Sequence, residues 1–243
     1  MRAPDPAFAD PRLAVLYDVL DDDRSDLDAY MAIASEVCAG SVIDIGCGTG
    51  SLAVRLARTG RTVVGVDPAG ASLDIARTKP FAESVTWVHG DATTLLGRAV
   101  TADLAVMTGN VAQVFVSDED WVSTLAAVHD CLHLGGWLVF ETRRVEVRDW
   151  ERWDAGPTRV DLSDGGSVVV STTVTEVALP LATFESTTTV GGEVVASAST
   201  LRFRESDEVE RDLNDHGFDV VDVRDAPDRP GKELVFLARR ATG

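Results

Sequence analysis

The sequence predicts an α/β fold: a mostly parallel sheet with helices on both faces and a smaller antiparallel unit inserted late in the chain. Three observations predict it. Short apolar runs alternate with helix-like segments between residues 40 and 141, as expected of strands buried on both faces. The first run, Val42-Ile43-Asp44-Ile45, leads straight into Gly46-Cys47-Gly48-Thr49-Gly50. Glycines at these alternate positions let the backbone turn sharply and approach a ligand where a Cβ would clash. From about residue 157 the texture changes to Val, Thr and Ser segments punctuated by glycine turns, which reads as an antiparallel meander.

The elements follow in order. An arm containing Pro4, Pro6, Pro11 and many acids leads to a first helix, together spanning residues 1–39. Ser25 and Asp28 resemble a capping box, starting a helix that runs to about Val37. Leu27, Tyr30, Met31, Ala34 and Val37 share one face of it, and Gly40 ends it. Strand 42–45 feeds a helix over 50–58 that Gly60 terminates. Strand 62–66 ends in Asp67, and the helix over 70–78 stops before Pro80. Short strands are expected at 85–89 and 103–107. A helix is predicted between Ser117 and Leu134, with Asp118, Glu119 and Asp120 suiting the positive end of its dipole. Gly135-Gly136 closes that helix, and Trp137-Leu138-Val139-Phe140 is the fifth strand. The meander comprises 167–178, 181–189 and 194–203, with turns at Ser163-Asp164-Gly165-Gly166 and Val190-Gly191-Gly192-Glu193. Helical texture returns from Ser206 to His216, and strands at 218–223 and 233–239 finish the chain. This divides the chain into the arm, a main domain of 40–150 and 205–243, and an insertion of 151–204.

Composition narrows the function. The chain has 243 residues, 45% of them hydrophobic, which is ample for a core. No apolar run reaches membrane-spanning length and Met1-Arg2-Ala3-Pro4-Asp5-Pro6 does not begin a signal peptide, so a cytoplasmic protein without a membrane partner is expected. Forty acids against 22 bases give a net charge of −18, a surface that repels phosphate backbones. Arg143, Arg144, Arg148 and Arg152 are interrupted by Glu146, Asp149 and Glu151, so they form no basic stripe. No nucleic-acid partner is expected; a small molecule is. Cys38, Cys47 and Cys131 lack metal-ligand spacing and read as reduced thiols. His129 and His133 lie i, i+4 on one helix but have no third ligand nearby in sequence, so no metal is expected.

The run from Val42 to Gly50, continued through Ser51-Leu52-Ala53-Val54-Arg55-Leu56-Ala57, resembles motif I of the class I S-adenosylmethionine (SAM)-dependent methyltransferases. A dinucleotide-binding loop would instead carry Gly or Ala at position 51, where this chain has Ser. The resemblance implies a Rossmann-like sheet of seven strands, mostly parallel, with an antiparallel terminal hairpin. The closing strands around Asp225-Ala226-Pro227-Asp228-Arg229-Pro230-Gly231 look like that hairpin, and the meander is then an antiparallel β insertion after the fifth strand, as in several small-molecule methyltransferases.

The same resemblance implies a cofactor site. Asp44, Gly46, Cys47, Gly48 and Gly50 would hold the methionine end of SAM. Asp67, 17 residues after Gly50, would accept bonds from the ribose hydroxyls, and Pro68 is small enough to admit the adenine ring. Gly90-Asp91-Ala92 resembles the segment holding the adenine amino group, placing Asp91 and Ala92 in the site. The stretch from Met107 to Gln113 resembles the lining of the methyl-transfer channel, with Asn110 and Gln113 able to orient ligands. Tyr17 and Arg24 sit where family members close the cofactor site. Position alone, not a motif, puts Arg143, Trp150 and Trp153 at the substrate mouth, Arg143 for an anionic group and the tryptophans as an apolar wall.

No residue stands out as a general base, and no catalytic residue is assigned. The expected reaction is in-line methyl transfer to a small-molecule acceptor, leaving S-adenosylhomocysteine. Two alternatives remain: a module that binds SAM or a partner without catalysis, and an NAD(P)-dependent oxidoreductase. The Val/Thr faces of the insertion suit either a substrate lid or a homodimer interface.

Overall fold

The computed structural model describes residues 4–21, 23–154, 156–162 and 165–242. Asp22 of the acidic arm and Ser163-Asp164 of the first expected turn lie outside the described residues, as do Met1 to Ala3.

Where the sequence reading expected an arm, two helices form, α1 (Pro6–Ala9) and α2 (Pro11–Leu20). Each opens with an Asp-Pro pair. Asp5 Oδ1 accepts from Ala7 N at 2.8 Å and Asp10 Oδ1 from Arg12 N at 2.9 Å. The following proline loses nothing by lacking an N–H at the first helical position. Helix α3 spans Asp26–Glu36, but Ser25 makes no side-chain cap bond, so the expected capping box does not form. Ser25 already has helical backbone angles, which aim its hydroxyl away from the first-turn amides.

Strands β1 (Ser41–Ile45), β2 (Thr62–Asp67), β3 (Val85–His89), β4 (Ala102–Met107) and β5 (Leu132–Arg143) alternate with helices α4 (Ser51–Arg58), α5 (Gly70–Ala76) and α6 (Asp118–Cys131). The predicted helix to Leu134 ends three residues early. Leu132 instead pairs with Ala102 of β4, and the strand continues through the Gly135 kink to Arg143. Helix α7 (Ser206–Asp215) precedes the closing strands β10 (Phe218–Asp225) and β11 (Glu233–Arg240). The sheet order is β10-β11-β5-β4-β1-β2-β3, parallel except for β11, which runs antiparallel to both neighbours. Strand alternation splits the core. Val42, Val63, Leu104 and Val106 pack under α3 and α4, whereas Ile43, Ile45, Ala105 and Met107 pack under α6 and α7. Asp44 follows Ile43 and therefore points to the α3–α4 side, at the end of its strand.

Between β5 and α7 lies a second, four-stranded antiparallel sheet of order β6-β7-β8-β9, made of β6 (Thr158–Asp161), β7 (Ser167–Ala178), β8 (Leu181–Val190) and β9 (Glu193–Arg202). The sequence reading found its last three strands and missed β6. A small core of Trp150, Ala182 and Phe203, with Val145, Trp153 and Leu201, ties this sheet to the chain leaving β5. Arg204 anchors its other end. Its guanidinium donates to the carbonyls of Ala112 and Phe115 at 3.2 and 2.8 Å and lies over Trp121.

Candidate active site

A cavity of about 880 Å³ opens where the parallel strands end. It lies where the strand order reverses between β1 and β4, the general location of ligand sites in open α/β sheets. Its wall combines α1 and α2, the glycine loop, the ends of β2 and β3, the turn after β4, and β8 and β9 of the second sheet.

The glycine loop explains its own sequence. Gly46, Gly48 and Gly50 all have positive φ, 67°, 53° and 77°. A Cβ on Gly46 would lie 2.6 Å from Val111, and one on Gly50 would lie 2.4 Å from the Trp87 ring. At Gly48 nothing lies within 4 Å of that point, because the loop faces the cavity there. The three glycines therefore divide the work: two allow close packing and one leaves room for a ligand. Gly50→Ala is expected to cost about 2–4 kcal/mol of stability through backbone strain and overpacking. Gly48→Ala is expected to cost only about 1 kcal/mol of stability while weakening ligand binding. Urea unfolding of both variants beside calorimetry checks this division; equal destabilisation by the two would contradict it.

Asp67 closes β2 with its carboxylate turned back on the loop. Oδ2 accepts from Gly48 N at 2.8 Å and Oδ1 from Ala69 N at 2.7 Å. Each oxygen keeps a lone pair for a further donor. Burial raises its pKa, and the Ala69 and Gly48 amides oppose the rise. Asp44 is fully buried, and neither of its oxygens has a hydrogen-bond partner. Burial first, and the Asp67 carboxylate second, push its pKa up to about 7. Asn110 stands in the left-handed region (φ 60°) after β4. Glu141 Oε1 accepts the Gly109 and Asn110 amides at 2.6 and 3.1 Å, while Glu233 Oε1 accepts from Asn110 Nδ2 at 3.0 Å. Its Oδ1 is buried without a partner.

The N-terminal helices close one side. Tyr17 and Arg24 line the cavity, and Asp18 latches α2 to the loop, accepting from Thr49 Oγ1 at 2.7 Å and pairing with Lys79 at 2.7 Å. Asp5 reaches the second sheet, where Ser199 Oγ donates to it.

Of the residues expected from sequence, Tyr17, Asp44, Gly46, Cys47, Gly48, Asp67, Pro68, Asp91, Ala92, Asn110 and Arg143 line this one cavity. Gly50, Gln113, Trp150 and Trp153 stand behind its wall. Gln113 accepts from Arg143 Nη1 at 2.9 Å, and Trp153 packs edge-on against Phe184, which does face the cavity. Trp150 packs on Phe203. The positive charge of Arg143 is already shared with Glu233 at 3.5 Å and Asp149 at 3.9 Å, and the group lies over Trp153. Sequence reasoning missed Asp5 and the hydroxyl face of the second sheet, including Ser186, Ser197 and Ser199. Ser197 and Ser199 stand two apart on β9 and share a face, a periodicity visible in the sequence but without a partner to point at.

Residues 42–136 match the family model described as a methyltransferase domain. That stretch is therefore similar to a methyltransferase domain. The fold of the chain agrees with that of a S-adenosylmethionine-dependent methyltransferase from Clostridium acetobutylicum (TM-score 0.76, 16% identity, covering 95% of this chain and 98% of the other). It also agrees with SAM-bound CalS10, an amino pentose methyltransferase from Micromonospora echinaspora (TM-score 0.71, 19% identity, 93% and 97% covered). In sequence, the chain is 30% identical over 135 residues to a cypemycin N-terminal methyltransferase from a Streptomyces species, covering 54% of this chain and 55% of that protein. The chain spans about half the length of the curated relatives it matches.

The donor set fits S-adenosylmethionine, the cofactor that the sequence motif implies. A carboxylate with free lone pairs at Asp67, an unpartnered buried carboxylate at Asp44 and an open cradle at Gly48 suit ribose hydroxyls, an ammonium group and a closely held chain. No helix of the described residues is long and apolar enough to cross a membrane.

Proposed function

We propose that this chain transfers the methyl group of S-adenosylmethionine to an amine nitrogen of a small, hydroxyl-rich molecule. The observation that carries this reading is that one cavity runs from the glycine loop to the hydroxyl-bearing face of β8 and β9. Four carboxylates line it, Asp5, Asp44, Asp67 and Asp91, against two guanidiniums, Arg24 and Arg143. Such a balance attracts cations, and Ser186, Ser197 and Ser199 offer donors and acceptors for hydroxyl groups. The amino pentose methyltransferase sharing the fold supports the same acceptor class.

When bound, the cofactor supplies a methyl group on a positively charged sulfur. The protein's part is to hold two ligands and keep water out. Asp67 takes the ribose hydroxyls, Asp44 the ammonium end, and the backbone around Gly48 the chain between them. Phe184, Leu181 and the serines of β9 form the opposing wall, so the second sheet is a lid over residues 40–150 and 205–243. An amine delivered neutral would need only to be held in approach and alignment by this wall. With Asp44 and Asp67 given to the cofactor, Tyr30 and Glu141 supply no base either: Tyr30 donates to Glu141, and both stand behind Gly109. Water exclusion and geometry therefore do the chemistry.

Calorimetric titration with S-adenosylhomocysteine, beside NAD(H) and NADP(H), tests the cofactor. Incubation with SAM and a set of free and nucleotide-linked amino sugars, read by mass for one added methyl group, tests the acceptor. Micromolar binding of S-adenosylhomocysteine alone and methylation of an amino sugar are expected. Methylation only of phenols or carboxylates would overturn the acceptor assignment. Binding without turnover of any acceptor would favour a SAM-binding module.

A further inference from the structure

Asp44 lines the cavity and has no hydrogen-bond partner of its own. It is buried to 1% exposure, lies on the α3–α4 side of β1, and has both oxygens unpaired. The charged and titratable groups around it come from each neighbouring element. From β2, Asp67 adds a second negative charge. From the segment before α3, Arg24 is the nearest cation, but its guanidinium is held by Asp26 at 3.2 Å and Asp21 at 3.7 Å. The Cys47 thiol of the glycine loop is pushed up by burial and by both aspartates, so it stays neutral. Elsewhere on the cavity wall, the Tyr17 hydroxyl on α2 is raised by burial and is neutral as well. At the start of α4 the Ala53 amide leans toward the carboxylate without making a hydrogen bond of full geometry. Strand β4 contributes the apolar Val106 alongside.

An isolated carboxylate buried beside another cannot keep its charge cheaply, and taking up a proton is the lower-energy outcome. An ammonium group placed against it reverses the balance. Resting on the cofactor reading above, we propose that Asp44 is a proton-linked seat for the ammonium end of the cofactor. Before the ammonium group arrives, the Asp44 carboxyl is about half protonated at pH 7 and more fully so at lower pH. When the ammonium group arrives, the O–H bond breaks, the proton leaves to solvent, and the carboxylate pairs with the cation. The ammonium group keeps its own proton at and below about pH 7.

The sign follows from the two states. With the free carboxyl titrating near about 7 and the bound one well below, binding releases about half a proton at pH 7 and nearly a whole one at about pH 6. Apparent affinity should fall by up to about tenfold per unit as pH drops below about 7, and flatten above about pH 8.

The test is calorimetry of the wild-type chain with S-adenosylhomocysteine in phosphate and in Tris, buffers with different heats of ionisation, at several pH values. Proton release that grows from pH 8 to pH 6 is expected. Asp44→Asn should abolish both the release and the pH dependence of affinity in that range. Absence of proton release in the wild type near pH 6 would overturn the proposal, as would an unchanged pH profile in Asp44→Asn. Should that variant fail to fold, the wild-type comparison of two buffers decides alone. No binding to folded wild-type protein at any pH overturns the cofactor reading itself, and the seat with it.

Discussion

Asp67→Ala is expected to weaken S-adenosylhomocysteine binding by roughly tenfold to a hundredfold, each tenfold being about 1.4 kcal/mol. Two losses add. The first, on the proposed cofactor reading, is the acceptor for the ribose hydroxyls, charge-assisted bonds worth about 1.5–3 kcal/mol. The second is preorganisation, because Asp67 ties the loop to β2 through Gly48 N and Ala69 N. Without it the loop must order itself when the ligand arrives. The effect on folding should be smaller than the effect on binding. Burial already disfavours this carboxylate, so removing it returns part of what the two backbone bonds lose. Calorimetry and urea unfolding on the same variant separate these effects. Near-wild-type affinity would mean that the ribose lies elsewhere.

Glu233→Leu is expected to have the largest effect on stability, a loss of about 3–5 kcal/mol. This carboxylate is 1% exposed at the start of β11. It accepts from Asn110 Nδ2 at 3.0 Å and Arg229 Nη1 at 2.8 Å, and pairs with Arg143 at 3.5 Å. Its removal leaves the buried Asn110 amide without its acceptor and takes from Arg143 and Arg229 the carboxylate they share, leaving them only Asp149 at 3.9 Å and Asp228 at 3.5 Å as counter-charges. The melting temperature should fall by on the order of 10 °C for a chain of this size. Glu233→Gln, which keeps an acceptor oxygen, should recover part of the loss. Equal melting temperatures for wild type and Glu233→Leu would show that the arginines find other partners.

The main sheet was legible because its signals are local. Apolar runs at 42–45, 62–66 and 85–89 match observed strands to within a residue. The glycine spacing named the loop before any contact was known. Errors arose where a tertiary contact outweighed a local signal. Leu132 to Leu134 read as helix, yet pairing with Ala102 draws the first of them into β5. The Asp-Pro pairs at 5–6 and 10–11 are proper helix starts; a short, acid-rich stretch obscured them. For the site, the glycines were readable because their own backbone angles demand them, and the acids because they stand at strand ends. Trp150 and Trp153 were placed by distance from β5 alone, and distance along the chain does not say which face of a wall a side chain takes.

By itself the sequence determined the sheet class, the insertion and the cluster Asp44, Gly48 and Asp67, since hydrophobic period, left-handed glycines and strand-end acids act over a few residues. Only the tertiary structure decided that the second sheet lies across the site, that Asp5 and the serines of β9 complete it, and that Arg143 is held by Glu233. Those facts depend on groups up to 194 positions apart, such as Asp5 and Ser199, being brought together by packing. No local pattern records which distant surface a strand will cover.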